Sequence, residues 1–308
     1  GAQDLRAFEP RFVRPLSVSF HGATLHVPPP PCGGGALLAF GLRLFGAACA
    51  PNPDQVELAR CFAEVMAATE RARTEGFDEQ LLQDGAVEAL LDPSYVEQHA
   101  AEVRRRLGRG DDSQPGPPTG RVPGNTTHIS TVDAQGNAVA FTSSNGETCG
   151  TLWPGTEIPL NNFLGEDDIH PLGFHRGPPG APFRTMMTPA LLVDADGGVM
   201  ALGTGGSNRI RTAMLQVVRH IVDGGMSVQD AVMAPRIHVE ADGVQLEDAG
   251  QGEAAISAAA SSGRKLARFE GRHLYFGGVH SARITGEGEF EAVGDPRRSG
   301  NGQVAWAS

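Results

Sequence analysis

The chain has 308 residues, of which 40% are hydrophobic and 20% charged, and this composition is ordinary for a globular protein with a sizeable core. The length suits one large α/β domain or two ordinary ones. A net charge of −11 argues against general binding to nucleic-acid phosphates, and no segment reaches the apolar length of a membrane span.

The first third of the chain is predicted to be mostly helical. Residues 1–31 contain two short extended segments, LSVSF and ATLHV, and residues 36–46 read as a buried helix. A second helix is predicted over Asn52–Arg73, with Asn52 as the N-cap and Pro53 in the first turn.

A third helix, Asp92–Leu107, repeats this pattern of a capping residue followed by proline. The tract that follows, GRGDDSQPGPPTGRVPGN (108–125), has almost no apolar side chains. It is predicted to be an exposed, mobile linker.

Strand patterns begin after the linker. THISTVD and NAVAFTSS alternate around AQG, and PALLVD and GVMALGTGG form a second pair around ADGG, so two hairpins are predicted. SNRIRTAMLQVVRHIVDGG then predicts an amphipathic helix. Its apolar face consists of Ile210, Met214, Val217 and Ile221.

Cysteine and histidine residues give little sign of chemistry. The four cysteines have neither metal-type spacing nor the density of a disulfide framework. Cys149 could act as a nucleophile, although a small packed thiol is commoner, and His238 is interpreted as structural.

The segment GTGGSN (Gly203–Asn208) joins a predicted strand to a predicted helix. It lacks the Lys-Ser/Thr ending of a phosphate-binding loop. The consecutive amides of Gly205 and Gly206 could hold a developing oxyanion near a helix N-terminus. The alternative is a tight strand-to-helix turn.

Thr126 stands where the linker meets the first strand. A threonine hydroxyl needs a nearby base to act as a nucleophile, and a threonine at a chain N-terminus has its own α-amine for this purpose. That amine has a pKa of roughly 7.7–8.0 and is partly unprotonated near neutral pH. Chemistry alone therefore makes Thr126 interesting only if the Asn125–Thr126 bond is cut, and a plain strand start is the alternative.

An ordered set of motifs resembles the gamma-glutamyltransferase (gamma-glutamyltranspeptidase) family. The set is DLRAFEP, PPPPCGGGALL, GNTTHISTVDAQGNAVAFT, LNN, MMTPALLVDADGG, LGTGGSNRIRTAMLQVV, GMSVQDAV, APRIH and GDPRRSG. The resemblance implies an α/β (α+β) fold, the four-layer αββα sandwich of the N-terminal nucleophile (Ntn) hydrolases. It also implies that an N-terminal part of the family's large subunit precedes the region matched here. Neither this nor the absence of a signal peptide assigns a cellular location.

The resemblance divides the chain into three parts. Residues 1–107 correspond to the helical end of the large-subunit region, and residues 108–125 to the linker that ends at the cleavage site. Residues 126–308 correspond to the small catalytic subunit. The two cleavage products are expected to stay together as a heterodimer.

Catalytic residues are carried over from the resemblance one by one. Thr126 matches the nucleophile, freed when the precursor cleaves itself between Asn125 and Thr126. Ser144 matches a hydroxyl that binds the nucleophile, and Gly205 and Gly206 match the oxyanion pair. Thr127 and His128 become strand scaffolding, and no metal or organic cofactor is required.

The substrate-binding residues match less well. Asn145 matches a substrate-contacting Asn. After LNN the family has a polar residue and an acidic run, whereas this chain has Phe163, with Glu166 or Asp167 as the remaining acids. Of the family's two serines before MSP, one hydroxyl survives at Thr185 and the other position is Met186, and the family's carboxylate-binding arginine lies in the missing region. These changes count against a preference for gamma-glutamyl groups, because polar groups of the substrate that bind no partner in the site lower its affinity.

The sequence therefore predicts a self-processing acyl-transfer enzyme that acts on gamma-glutamyl amides and transfers the acyl group to water or an amine. Two alternatives remain open. One is an amidase similar to the glutaryl and cephalosporin acylases, and the other is an unprocessed, catalytically silent relative that binds a ligand or partner.

Overall fold

The computed structural model describes residues 2–108, 114–115, 126–166, 169–170, 173–176, 179–241, 243–250, 252–259 and 263–306. Its helices are α1 (Ala2–Ala7), α2 (Gly33–Ala48), α3 (Gln55–Ala72), α4 (Asp78–Gln80), α5 (Ala86–Leu90), α6 (Pro93–Leu107), α7 (Arg209–Val222), α8 (Val228–Met233) and α9 (Glu253–Ala259). Its strands are β1 (Leu16–Phe20), β2 (Ala23–Val27), β3 (Gln114–Pro115), β4 (Thr127–Val132), β5 (Ala138–Ser143), β6 (Ala190–Val193), β7 (Val199–Gly205), β8 (Ile237–Glu240), β9 (Gly243–Glu247), β10 (Lys265–Phe269), β11 (Gly278–Ile284) and β12 (Phe290–Val293). Within these ranges, every helix is too short or too polar to cross a membrane.

A six-stranded antiparallel sheet in the order β1-β2-β6-β7-β11-β12 is the centre of the fold. The β4–β5 hairpin packs against β7 and β11, and α2 and α7 pack on this sheet and on each other. A smaller sheet, β3-β10-β9-β8, lies against α3 and α7 through β8. Strands from before and after the linker thus share one sheet, since β2 pairs with β6.

The sequence predicted the helices and hairpins well, with one wrong cap. The N-cap of α3 is Asp54 and not Asn52: Asp54 accepts a hydrogen bond from the Glu57 amide at 2.8 Å, and the Glu57 carboxylate bonds back to the Asp54 amide. This reciprocal capping box satisfies the backbone amides of Asp54 and Glu57, which belong to the unpaired donors at the start of the helix. The predicted cap of α6, Asp92, is confirmed.

Helix α7 is buried on every side and not only along its predicted apolar face. All residues from Arg209 to Ile221 are buried, including the charged ones. Arg211 pairs with Glu70, and Arg219 lies 3.3 Å from Asp223. Because these partners compensate the buried charges, the polar face of α7 can pack inside the protein.

A buried ion cluster supports the start of β11, next to the end of β7. Asp295 is fully buried and binds Arg236 Nη2 at 2.5 Å, and it also accepts a hydrogen bond from the Val279 amide at 3.0 Å. Arg236 donates in turn to the carbonyl oxygens of Phe276 and Gly277. The cluster therefore fixes the backbone that faces the Gly205–Gly206 turn.

We expect Asp295→Ala to lower the free energy of unfolding by about 3–5 kcal/mol, because it leaves the buried Arg236 charge without its partner. The matched control is Glu253→Ala, which removes an exposed ion pair with Arg268 and should cost less than about 1 kcal/mol. Urea unfolding of both variants measures the two losses, and equal losses would contradict the role of the cluster.

Candidate active site

The β4–β5 hairpin brings Thr126 and Ser144 together. Thr127 pairs with Ser143 in this hairpin, so Thr126 and Ser144 are the next residues in register beyond its open end. Thr126 Oγ1 donates a hydrogen bond to Ser144 Oγ at 3.0 Å, and Ser144 Oγ also accepts the Gly146 amide at 3.0 Å. The hydroxyl of Thr126 is thus held in one direction by a bonded partner.

Two glycines on one face of β7 make room for this hairpin. A Cβ on Gly203 would lie 2.3 Å from the His128 ring, and a Cβ on Gly205 would lie 2.4 Å from the carbonyl oxygen of Thr126. Residues two apart in a strand share a face, so the glycine spacing in GTGG matches the spacing of the residues that pack on it. Gly206 is glycine for another reason, since its φ of +135° is rarely adopted by other residues.

Thr126 opens into a cavity of about 450 Å³. The described residues that line it come from the open end of the hairpin, from residues 162–166 and Ile169, from the 183–187 segment, from the N-terminus of α7 and from the end of β8. They are Thr126, Ser144, Gly146, Glu147, Asn162, Phe163, Gly165, Glu166, Ile169, Phe183, Arg184, Thr185, Met186, Met187, Ser207, Asn208, Arg209, Ile210 and Glu240. A concave, partly apolar cavity of this size suits a small organic substrate.

Four of the nine predicted site residues line this cavity. Thr126, Ser144, Glu166 and Thr185 line it, and Gly205 lies directly behind Thr126. Asn145 is not among the lining residues, although both of its neighbours are. The predicted residues Asn125 and Asp167 lie outside the described residues.

Asn162 and Arg184 are lining residues that the sequence analysis did not single out as site residues. Asn162 Oδ1 accepts the Glu147 amide at 2.7 Å. A Cβ on Gly146 would lie 2.1 Å from this Asn162 oxygen and 1.9 Å from the nearer carboxylate oxygen of Glu166. Asn162 was visible in the LNN motif, whereas no signal in the sequence marked Arg184.

A chain of hydrogen bonds holds the wall at the start of α7. Arg73 Nη1 donates to Asn208 Oδ1 at 2.8 Å, and Asn208 Nδ2 donates to Glu240 at 2.7 Å. Arg73 itself is tied to Asp78 at 2.7 Å. The helical first part of the chain therefore helps to position a wall built by the second part.

His128 lies buried between the hairpin and β7, two residues after Thr126. Its Nδ1 is 2.7 Å from Thr142 Oγ1 and its Nε2 is 2.8 Å from Ser130 Oγ, while Ser130 Oγ donates to the His280 carbonyl. Because the Ser130 hydroxyl donates its hydrogen to that carbonyl, it can only accept from His128. We therefore assign the ring proton of His128 to Nε2, which donates to Ser130 Oγ, and the acceptor role to Nδ1, which accepts from Thr142 Oγ1. Burial, with a smaller contribution from His280, lowers the pKa of His128 to about 4. Its ring is neutral near pH 7 and packs as scaffolding.

We expect acid to destabilise the protein through His128. The unfolded chain takes up the proton near pH 6.5 and the folded chain only near pH 4, so stability is retained above pH 6.5 and falls as the pH drops between these values. The loss should be about 2 kcal/mol between about pH 7 and about pH 5. Urea unfolding of wild type and His128→Gln at both pH values isolates this contribution. A wild-type loss no larger than that of the variant would contradict it.

The structure is a mixed helix-and-sheet fold of the α/β (α+β) class, as the sequence predicted. The sequence model of the family described as "Gamma-glutamyltranspeptidase" matches residues 1–305. The chain therefore belongs to the gamma-glutamyltranspeptidase family.

Individual relatives agree with this assignment. The chain is 28% identical over 272 residues to an acylase ACY 1 proenzyme of Pseudomonas sp. (strain V22), covering 86% of this chain and 48% of the relative. It is 26% identical over 318 residues to the glutathione hydrolase proenzyme of Bacillus subtilis (strain 168), covering 97% of this chain and 54% of the relative. The chain thus spans about half the length of the curated relatives it matches.

The cephalosporin acylase from Bacillus halodurans shares the fold, with a TM-score of 0.76 at 23% identity. The alignment covers 99% of this chain and 55% of that structure.

Proposed function

We propose that the protein is a self-processing acyl-transfer enzyme that uses Thr126 as its nucleophile. The observation that carries this proposal is the hydrogen bond of 3.0 Å from Thr126 Oγ1 to Ser144 Oγ at the wall of the 450 Å³ cavity. The nucleophile of such an enzyme must be oriented and reachable by substrate, and Thr126 meets both conditions.

Processing frees the α-amine that Thr126 needs. Thr126 Oγ attacks the carbonyl carbon of Asn125, the bond from that carbon to the Thr126 nitrogen breaks, and an ester forms. Water then hydrolyses the ester, which leaves a carboxylate on Asn125 and an amine on Thr126. The product that ends at Asn125 and the product that begins at Thr126 remain associated as a heterodimer because β2 and β6 pair within one sheet.

In the mature enzyme the α-amine of Thr126 takes the proton of the hydroxyl, and Oγ attacks the amide carbonyl of the substrate. The amides of Gly205 and Gly206 stabilise the negative oxygen of the tetrahedral intermediate. The same amine passes its proton to the departing amine, and water or a second amine then releases the acyl group. Ser144 keeps the Thr126 hydroxyl aligned throughout.

The substrate is a small gamma-glutamyl or related amide. Thr185 and Glu166 line the cavity and supply polar contacts to the substrate, with Asn145 and Asp167 as further proposed contacts. A second candidate, an amidase that accepts acyl groups without an α-amino group, is favoured by one observation: the Phe163 ring stands in the wall and lies 6.4 Å from that of Phe183. An aromatic wall does not bind an ammonium group by hydrogen bonds.

Mass spectrometry of the purified protein, combined with turnover of gamma-glutamyl and glutaryl anilides, tests the proposal. We expect a new N-terminus at Thr126 that appears before turnover begins. Preference for the glutaryl anilide would identify the second candidate. A chain that stays intact and turns over neither anilide would support a catalytically silent relative, and an intact chain that turns over either one would refute the proposed nucleophile.

A further inference from the structure

Thr204 lies in β7 just before Gly205, and its hydroxyl is wholly committed to backbone groups. The side chain is completely buried. Its Oγ1 donates to the carbonyl oxygen of Gly205 at 2.8 Å and accepts the amide of Gly278 at 2.9 Å. Valine suits a buried strand position equally well and needs no hydrogen-bond partner. The hydroxyl, and not the shape of the side chain, therefore distinguishes Thr204.

The bond from Thr204 to the Gly205 carbonyl also fixes the direction of the Gly206 amide. The Gly205 carbonyl and the Gly206 N–H belong to one planar trans peptide and point in opposite directions, so neither can rotate alone. A peptide between two glycines has unusual rotational freedom, because neither α-carbon carries a Cβ that restricts it. The Thr204 hydroxyl removes this freedom by binding the carbonyl end of the peptide.

The Thr204 hydroxyl is the middle of a hydrogen-bonded path that begins at the buried ion cluster. Arg236 donates to the Gly277 carbonyl oxygen at 3.2 Å, and the amide at the other end of that peptide, on Gly278, donates to Thr204 Oγ1. Thr204 Oγ1 donates in turn to the Gly205 carbonyl oxygen. Hydrogen bonds in such a chain polarise one another. The ion cluster is buried and paired, so it gives the last peptide of the path a fixed reference.

The direction of this peptide matters because it begins beside Thr126. A Cβ on Gly205 would lie 3.0 Å from the Thr126 Cβ and 3.1 Å from the Thr126 carbonyl carbon, so Thr126 packs directly on that residue. An amide stabilises an oxyanion only if its N–H is aimed at the oxygen before the reaction. A peptide turned the other way would present the Gly205 carbonyl oxygen, which repels a negative charge.

We propose that Thr204 is a positioning residue for the oxyanion site: its hydroxyl holds the Gly205–Gly206 peptide in the direction in which the Gly206 amide donates to the oxyanion. Thr204 touches no reacting atom and acts through this peptide alone. Because the amide acts on the tetrahedral intermediate and not on bound substrate, a loss of its direction lowers kcat and leaves KM nearly unchanged. This inference rests on the proposed function for its reaction, although the direction of the peptide is measurable without turnover.

Kinetics of Thr204→Val and Thr204→Ser separate the hydroxyl from the shape of the side chain. Rates on the anilide that the wild type turns over are expressed per chain with a free N-terminus at Thr126. We expect Thr204→Val to lower kcat ~10- to 100-fold, with KM within ~3-fold of wild type. Thr204→Ser keeps the hydroxyl and should stay within ~3-fold of wild type in kcat. Thr204→Ala also lacks the hydroxyl and should show the loss in kcat, so the result does not depend on the folding of one variant.

Thr69→Val is the matched control, because Thr69 is a buried threonine whose hydroxyl donates to the Val65 carbonyl at 2.8 Å within α3. It loses a comparable buried hydrogen bond and should keep the kcat of wild type. An unchanged kcat in Thr204→Val, an equal loss in Thr69→Val, or a Thr204→Ser variant as slow as Thr204→Val would each overturn the inference.

Crystal structures of the wild type, Thr204→Val and Thr204→Ser test the peptide itself. We expect the Gly205 carbonyl and the Gly206 amide to rotate in Thr204→Val and to keep their direction in Thr204→Ser. If the wild type turns over no anilide while the peptide rotates in Thr204→Val, the proposed function fails and the holding role of Thr204 stands. A peptide that keeps its direction in Thr204→Val refutes the inference, and turnover by the wild type would then leave the proposed function intact.

Discussion

Thr126→Ala is expected to leave the chain as one intact polypeptide with no measurable turnover. The variant keeps the backbone and the hairpin but loses the hydroxyl that we propose attacks both the Asn125 carbonyl and the substrate. Removing a catalytic nucleophile typically lowers kcat by roughly 10⁴-fold or more. Electrophoresis of the protein over several days of incubation, together with an anilide assay, measures both effects.

Thr126→Ser is the matched control. It retains the hydroxyl and its hydrogen bond to Ser144 and removes only a methyl group, so it should cleave itself and turn over substrate at a reduced rate. If Thr126→Ala still produced two fragments, the cleavage would have another cause, such as a contaminating protease. Turnover by Thr126→Ala would exclude Thr126 as the nucleophile.

Local structure was largely predictable from the sequence, because its signals are local. The β4–β5 hairpin followed from alternation around AQG, and α6 followed from Asp92 and Pro93. The cap of α3 was wrong although the correct signal was present: Asp54 and Glu57 have the spacing of a capping box, and Pro53 precedes the cap.

The orientation of the hairpin could not be predicted from alternation alone. That rule places apolar side chains inward, yet Ile129 and Phe141 are exposed and His128 is buried. The inward face is polar because His128, Ser130 and Thr142 satisfy one another by hydrogen bonds, while Gly203 leaves room for the ring. Such a face depends on contacts between distant segments, which no periodicity in β4 reveals.

The candidate site was predicted where a motif marked it and missed where only folding brings residues together. Thr126, Ser144 and Gly205 belong to matched motifs, and the structure places them in contact or close by. Arg184 reaches the cavity because Thr185 bonds to Pro31, more than 150 residues earlier in the chain. A long-range contact of this kind leaves no pattern around Arg184 itself.

Gly205→Ala is expected to reduce both self-cleavage and turnover, even though alanine keeps the backbone amide proposed to bind the oxyanion. The added Cβ would lie 2.4 Å from the Thr126 carbonyl oxygen and 3.0 Å from the Thr126 Cβ, so the hairpin must move away from β7. A displacement of about 1 Å at a reacting group can cost on the order of 100-fold in rate. Fragment formation over time and anilide turnover measure the loss.

Gly252→Ala is the control, because a Cβ there meets no atom within 4 Å. It should retain cleavage and turnover. Wild-type activity in Gly205→Ala would show that the enzyme tolerates a larger distance between the hairpin and β7, and it would contradict the expected effect of the added Cβ. A loss confined to Gly205→Ala would show that cleavage and turnover both need the close approach of the hairpin to β7. Gly205 provides the space that sets the position of Thr126, and Gly206 provides the positive φ that turns the chain into α7. The distance between the proposed nucleophile and the proposed oxyanion donors is then set by how closely β4 can approach β7.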